Sequence, residues 1–127
     1  MHRDETSIIL NDLIYYVIPN LNSAEKLVLS TLESLSEAAT SPLDILKRTD
    51  QRQAFGLETH RIRINLEHLL NRYRTEVDAI LRSEGEYQGP VVEPDPQEAD
   101  AIRSAKEIYQ HVCAFQRGER PHPIPGR

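Results

Sequence analysis

The stretch ETHRIRINLEHLLNRYRTEVDAILRSE, residues 58–84, decides the fold. Within it Ile62, Leu66, Leu69, Leu70, Tyr73, Val77, Ile80 and Leu81 recur at three- and four-residue spacing, the period of a helix that buries one face. No Gly or Pro interrupts the pattern before Gly85, so it predicts one long helix of about seven turns. Positions 66, 69/70, 73, 77 and 80/81 nearly follow the heptad that lets helices pair.

Upstream, Phe55-Gly56-Leu57 reads as the close of a preceding helix, which Ser41-Pro42 opens with a cap and a first-turn proline, and which Leu43, Ile45 and Leu46 continue. Before that, Asn22 and Glu25 have capping-box spacing, and Ala24, Leu27, Val28, Leu32, Leu35 and Ala39 outline a helix over about 23–38. Thr6 or Ser7 can cap a first helix over 7–18, with Ile9, Leu10, Leu13, Val17 and Ile18 on one stripe and Pro19 as its end. The run Ile14-Tyr15-Tyr16-Val17-Ile18 is equally good strand material. Downstream, two Gly and two Pro within 85–95 read as a linker. Asp95-Pro96-Gln97-Glu98 then starts a last amphipathic helix over 96–118, through Ile102, Ala105, Tyr109 and Val112 to Gly118. The Pro-rich tail 119–127 reads as disordered. The expected organisation is all-α: a helical domain over 1–84, a linker, and a C-terminal helix docked on it.

Length and composition agree. A chain of 127 residues holds one modest core, and 39% hydrophobic with 28% charged residues is a globular balance. Five Gly, no Trp and two Phe are too few for an all-β fold. One cysteine, Cys113, excludes an internal disulfide and a Cys-based zinc site. The apolar run Ile8–Ile18 contains Asn11 and Asp12 and is too short to span a bilayer, and the N-terminus lacks the basic start of a signal peptide. A cytoplasmic protein with no membrane association is expected.

The net charge of −5 is unevenly spread. Residues 41–74 carry Lys47, Arg48, Arg52, Arg61, Arg63, Arg72 and Arg74 against Asp44, Asp50, Glu58 and Glu67, a basic island between two acidic flanks. Such an island is either an electrostatic footprint for phosphates or an ordinary solvated helix face.

From Leu21 onward the chain resembles the winged-helix and helix-turn-helix domains of bacterial, phage and plasmid DNA-binding proteins. Leu21-Asn22-Ser23-Ala24-Glu25-Lys26-Leu27-Val28-Leu29 is similar to the opening helix of phage and plasmid replication domains, and Phe55-Gly56-Leu57 followed by Ile62, Leu66 and Leu69 is similar to the turn and recognition helix. The resemblance implies a turn glycine at 56, a buried stripe on the helix that follows, and a free face carrying Thr59, His60, Arg61, Arg63, Asn65 and Arg72, with Arg52, Lys47 and Arg48 of the island beside it. Arg and Asn suit purine edges, and Thr and Arg suit phosphates. On this reading the protein binds double-stranded DNA as a small transcriptional regulator or a replication or mobile-element accessory factor. It would do so as a homodimer on two half-sites, formed through the Leu66–Leu81 stripe and the apolar Ile8–Ile18 segment.

Catalytic signatures are absent. His60 and His68 lack metalloprotease spacing, no glycine-rich phosphate loop exists, and Cys113 has only His111 nearby, on another helix face. Neither a metal nor a cofactor is expected. The alternative to DNA binding is a helical adaptor that binds only protein, through Leu66–Leu81 or Ile102–Val112.

Overall fold

The computed structural model describes residues 7–125. Its elements run β1 (Ile8–Ile9), α1 (Leu10–Asp12), a π-helical turn (Leu13–Val17), α2 (Ile18–Ala38), α3 (Pro42–Arg72), α4 (Arg74–Arg82), β2 (Val91–Val92) and α5 (Pro96–Gln116). The fold is all-α apart from one antiparallel two-stranded ladder, in which Ile8 faces Val92 and Ile9 faces Val91. Helices α2, α3 and α5 pack pairwise against one another. Leu21, Val28 and Leu32 of α2 meet Phe55, Ile62, Leu66 and Leu69 of α3 and Ile102, Ala105, Ile108 and Val112 of α5 in one core. At one end Leu10, Leu13, Ile80 and Val92 extend this core under the ladder and α4.

The first expected stop is bridged. Pro19 occupies the first turn of α2, and α1, the π turn and α2 follow one another without a break. A proline inside a helix lacks a donor and its ring crowds the carbonyl four residues back. Here the preceding turn is widened, with the Ile18 amide bonding five residues back to the Leu13 carbonyl. Asn22, expected as a cap, therefore lies inside α2. The Thr6 cap lies outside the described residues.

Ser41 and Pro42 do open α3, the Ser41 hydroxyl accepting from the Asp44 amide at 3.2 Å. The turn expected at Phe55-Gly56-Leu57 is absent, because α3 continues through it to Arg72. The left-handed glycines are Gly85, Gly89 and Gly118, and Gly56 is not among them. The long helix expected over 58–84 instead breaks at Tyr73 (φ −111, ψ 26), whose hydroxyl accepts from the Glu93 amide at 2.9 Å. A Cβ on Gly56 would meet nothing within 4 Å. Gly56→Ala is therefore expected to raise stability by about 0.5–1 kcal/mol, read as a higher melting temperature; a true turn glycine would give a loss.

Residues 85–95 form a packed crossing rather than a free linker. The Asn11 amide, itself buried, donates to the carbonyls of Gly85 (2.8 Å) and Tyr87 (3.0 Å), and Val92 is buried. Gly89 (φ +72) passes so close that a Cβ there would lie 2.8 Å from Ile80 Cδ1. The tail expected to be disordered also docks. Ile124 is buried in the core, and His111 Nε2 lies 2.7 Å from the His122 carbonyl oxygen, while the His122 ring sits 3.3 Å from Gln51 Nε2. Apolar Ile124 offsets the ordering of a segment that its prolines have already stiffened. Gly126 and Arg127, the end of that expected tail, lie outside the described residues.

Candidate functional site

The nine residues expected to face DNA are spread around α3. At about 100° per residue, Arg48, Arg52 and Arg63 fall on one side of the helix and Lys47, Arg61 and Arg72 on another, so the basic island forms no single face. Several are committed inside the fold. Thr59 is buried, and its hydroxyl donates to the Gly56 carbonyl at 3.1 Å. The Asn65 amide donates to the Arg61 carbonyl at 3.0 Å, and Arg48 donates to Gln51 Oε1 at 3.0 Å. Arg61 is clamped between Glu58 (2.7 Å) and Asp100 of α5 (3.1 Å), and also donates to Ser104. The Arg61–Glu58 hydrogen bond lowers the Glu58 pKa and raises that of Arg61. Arg63 pairs with Glu25 of α2 at 3.2 Å. Lys47, Arg52 and His60 stay exposed. The arginine-bearing flanks of α3 thus face its neighbours α2 and α5.

The densest polar arrangement centres on Glu98, which the spacing predicts only as part of a helix start. Glu98 is fully buried at the N-terminus of α5, and its carboxylate accepts from Arg72, from His68 Nδ1 at 2.6 Å and from the Asp95 amide at 2.9 Å. Asp95 returns the bond, its carboxylate accepting from the Glu98 amide at 2.7 Å, which completes a capping box. Arg72 also donates to the Glu93 carbonyl at 3.0 Å and lies 5.6 Å from the centroid of the Tyr73 ring. The spacing of Asp95 and Glu98 signals the cap; the partners of Glu98, twenty-six and thirty residues upstream, leave no trace in the spacing. His68, Asp95 and Glu98 could each offer one ligand atom within 4.8 Å of one another. The Arg72 guanidinium already provides the positive charge that this carboxylate needs, so the arrangement serves as a lock between α3 and α5.

A second feature is apolar. Leu43, Leu46, Leu57 and Ile64 are exposed by 78%, 57%, 69% and 51%. They form a line on α3 roughly opposite its buried stripe of Phe55, Thr59, Ile62, Leu66 and Leu69. The stripes named as partner surfaces, Leu66–Leu81 and Ile102–Val112, are largely consumed by the core, since Leu66, Leu69, Ile80, Ile102, Ala105 and Val112 are all buried. The same holds for Ile8, Leu10, Leu13 and Val17 of the Ile8–Ile18 segment. A wide groove of about 1000 Å3 separates β1 and the π turn from α5, with Asp12, Tyr16, Lys106 and Tyr109 on its walls. The Tyr109 hydroxyl is held protonated to higher pH by its hydrogen bond with the Cys113 thiol.

No helix among the described residues is long and apolar enough to cross a membrane. Comparison with protein-family models, curated proteins and solved structures finds no match to this chain.

Proposed function

We propose that this protein is a non-catalytic, protein-binding helical module whose docking face is the outward stripe of α3. The observation that carries the reading is the second apolar line Leu43, Leu46, Leu57 and Ile64. Single exposed leucines are ordinary, but four in register along one helix form a surface of the kind that binds another helix. The first turns of α3 add to this. Residues 42–50 are exposed except for half-buried Arg48, so this stretch projects with almost no tertiary support. A free helix of that length is marginal in water, and a partner laid along it would supply the missing packing. A photo-crosslinking residue introduced at Leu46 or Leu57 in living cells is expected to give protein adducts, with none from Arg52 or Ser34, which are exposed on other faces. Equal labelling at all four positions, or none at any, would remove the docking face.

Nucleic-acid binding is the second reading, favoured by the exposure of Lys47, Arg52 and His60 and by the absence of an ion pair for the two cations among the described residues. It ranks lower because Arg61, Arg63 and Arg72 are paired internally. The variant Arg61→Ala with Arg63→Ala is expected to elute from duplex DNA or heparin at the same salt as the parent. A loss of about 1–3 kcal/mol in binding at matched salt would restore a recognition-helix role to α3.

A further inference from the structure

The outward stripe of α3 follows a heptad register that can be matched against itself. Leu43, Asp50, Leu57 and Ile64 are seven residues apart, and Leu46, Gln53 and His60 fill the intermediate heptad positions. All seven are exposed. We infer that the partner is a second copy of this chain, laid antiparallel along α3 so that Leu46 of each copy meets Leu57 of the other; this rests on the docking face proposed above.

Charge decides the direction. A parallel pair would stack Asp50 on Asp50 of the second copy, two carboxylates in one desolvated layer, which is unfavourable. An antiparallel pair sets each first heptad position against the other copy's intermediate one. Asp50 then meets Gln53, whose amide can donate to the carboxylate, while Leu46 meets Leu57 twice and Leu43 meets His60 twice. The pairing is isologous, each contact made once in each direction about a two-fold axis. Positions flanking the axis are small, with Ala54 facing Ala54 and Thr49 facing Thr49, so the helices can approach closely. Lys47 comes beside Arg61 of the second copy, whose charge is already offset by Glu58 and Asp100. The overlap from Leu43 to His60 is about 26 Å long. With two Asp50–Gln53 layers at its centre, a Leu46–Leu57 layer on either side and Leu43–His60 at each end, it makes a modest dimer with a defined register.

Light scattering from dilute to several hundred micromolar protein should show the mass rising to twice that of the chain. Leu46→Glu with Leu57→Glu should hold it at one chain with a cooperative melting transition retained, any loss of helicity being confined to the first turns of α3. Oxidation of Leu46→Cys mixed with Leu57→Cys should give a cross-linked dimer above the level of the parent, which carries Cys113 alone, whereas Leu46→Cys by itself should not. A parent that stays monomeric at every concentration overturns the inference, as does self-linking of Leu46→Cys to the extent of the mixture. If the parent is monomeric yet crosslinks at Leu46 and Leu57 capture other proteins, the docking face stands and the second copy falls. If both fail, both fall.

Discussion

Glu98→Ala is expected to lower folding stability by about 2–4 kcal/mol at neutral pH, the loss of several charge-assisted hydrogen bonds together with half of a capping box. The carboxylate has no solvent exposure, and everything it touches is a donor: Arg72, His68 and the Asp95 amide. Removing it frees Arg72 to water, since that side chain is 40% exposed. The cost is therefore smaller than for an ion pair sealed on both sides. The isosteric Glu98→Gln isolates the charge. Burial alone would push the Glu98 pKa up, but the hydrogen bonds from Arg72, the Asp95 amide and His68 outweigh it and hold the pKa below the ordinary 4.5. A carboxyl whose folded pKa is depressed contributes stability that is fully present above its unfolded pKa and is lost as pH falls through the folded one. The gap between parent and Glu98→Gln should therefore be widest above about pH 4.5 and close on acidification. Denaturant titrations of both proteins down the acid range read this directly. A gap of constant size would show that the carboxylate is not held ionised by the fold.

What could be read from the sequence was whatever depends on one helix at a time. The buried positions Ile62, Leu66 and Leu69 of α3, and Ile102, Ala105 and Val112 of α5, are where three- and four-residue spacing puts them. The caps at Ser41 and Asp95 use side chains that can do little else in that place. Spacing is weakest at Gly and Pro. Glycine is cheap at positive φ and so suggests a turn at Gly56, yet an exposed helix position tolerates it at a cost of about 1 kcal/mol. A turn there divides α3 in two, and the heptad from Leu43 to Ile64 appears only when residues 42–72 form one helix. Pro19 suggests a stop because a regular helix cannot hold it, and the π turn before it is invisible in hydrophobic spacing. Residues 85–95 are ordered by Leu10 and Asn11, more than seventy residues away, and 119–125 by equally distant Gln51 together with nearer His111. The Glu98 lock has the same character, because nothing in the spacing of a carboxylate and an arginine twenty-six residues away says that they meet.

The two faces of α3 should fail in opposite ways. Leu66 is 3% exposed and packs in the core shared with α2 and α5, whereas Leu57 on the other side is 69% exposed. Leu66→Ala removes three buried carbon groups and leaves a space that the neighbouring helices close only in part, at a cost of about 2–5 kcal/mol. For a domain of this size that shifts the melting temperature by roughly ten degrees or more. Leu57→Ala removes the same atoms from a surface that water already reaches, so in dilute solution its folding cost should stay within about 0.5 kcal/mol. Any association through the outward stripe would add the reverse asymmetry. Leu57→Ala would weaken it directly, and Leu66→Ala would weaken it only to the extent that it unfolds the chain. Paired melts at low and high protein concentration separate the two contributions, because a dimer's stability rises with concentration and a monomer's does not. If Leu57→Ala costs as much as Leu66→Ala at low concentration, the second stripe belongs to the core of the folded chain and offers no docking face. If instead the parent gains stability with concentration and Leu57→Ala does not, the helix is serving two interfaces, one within the fold and one between copies.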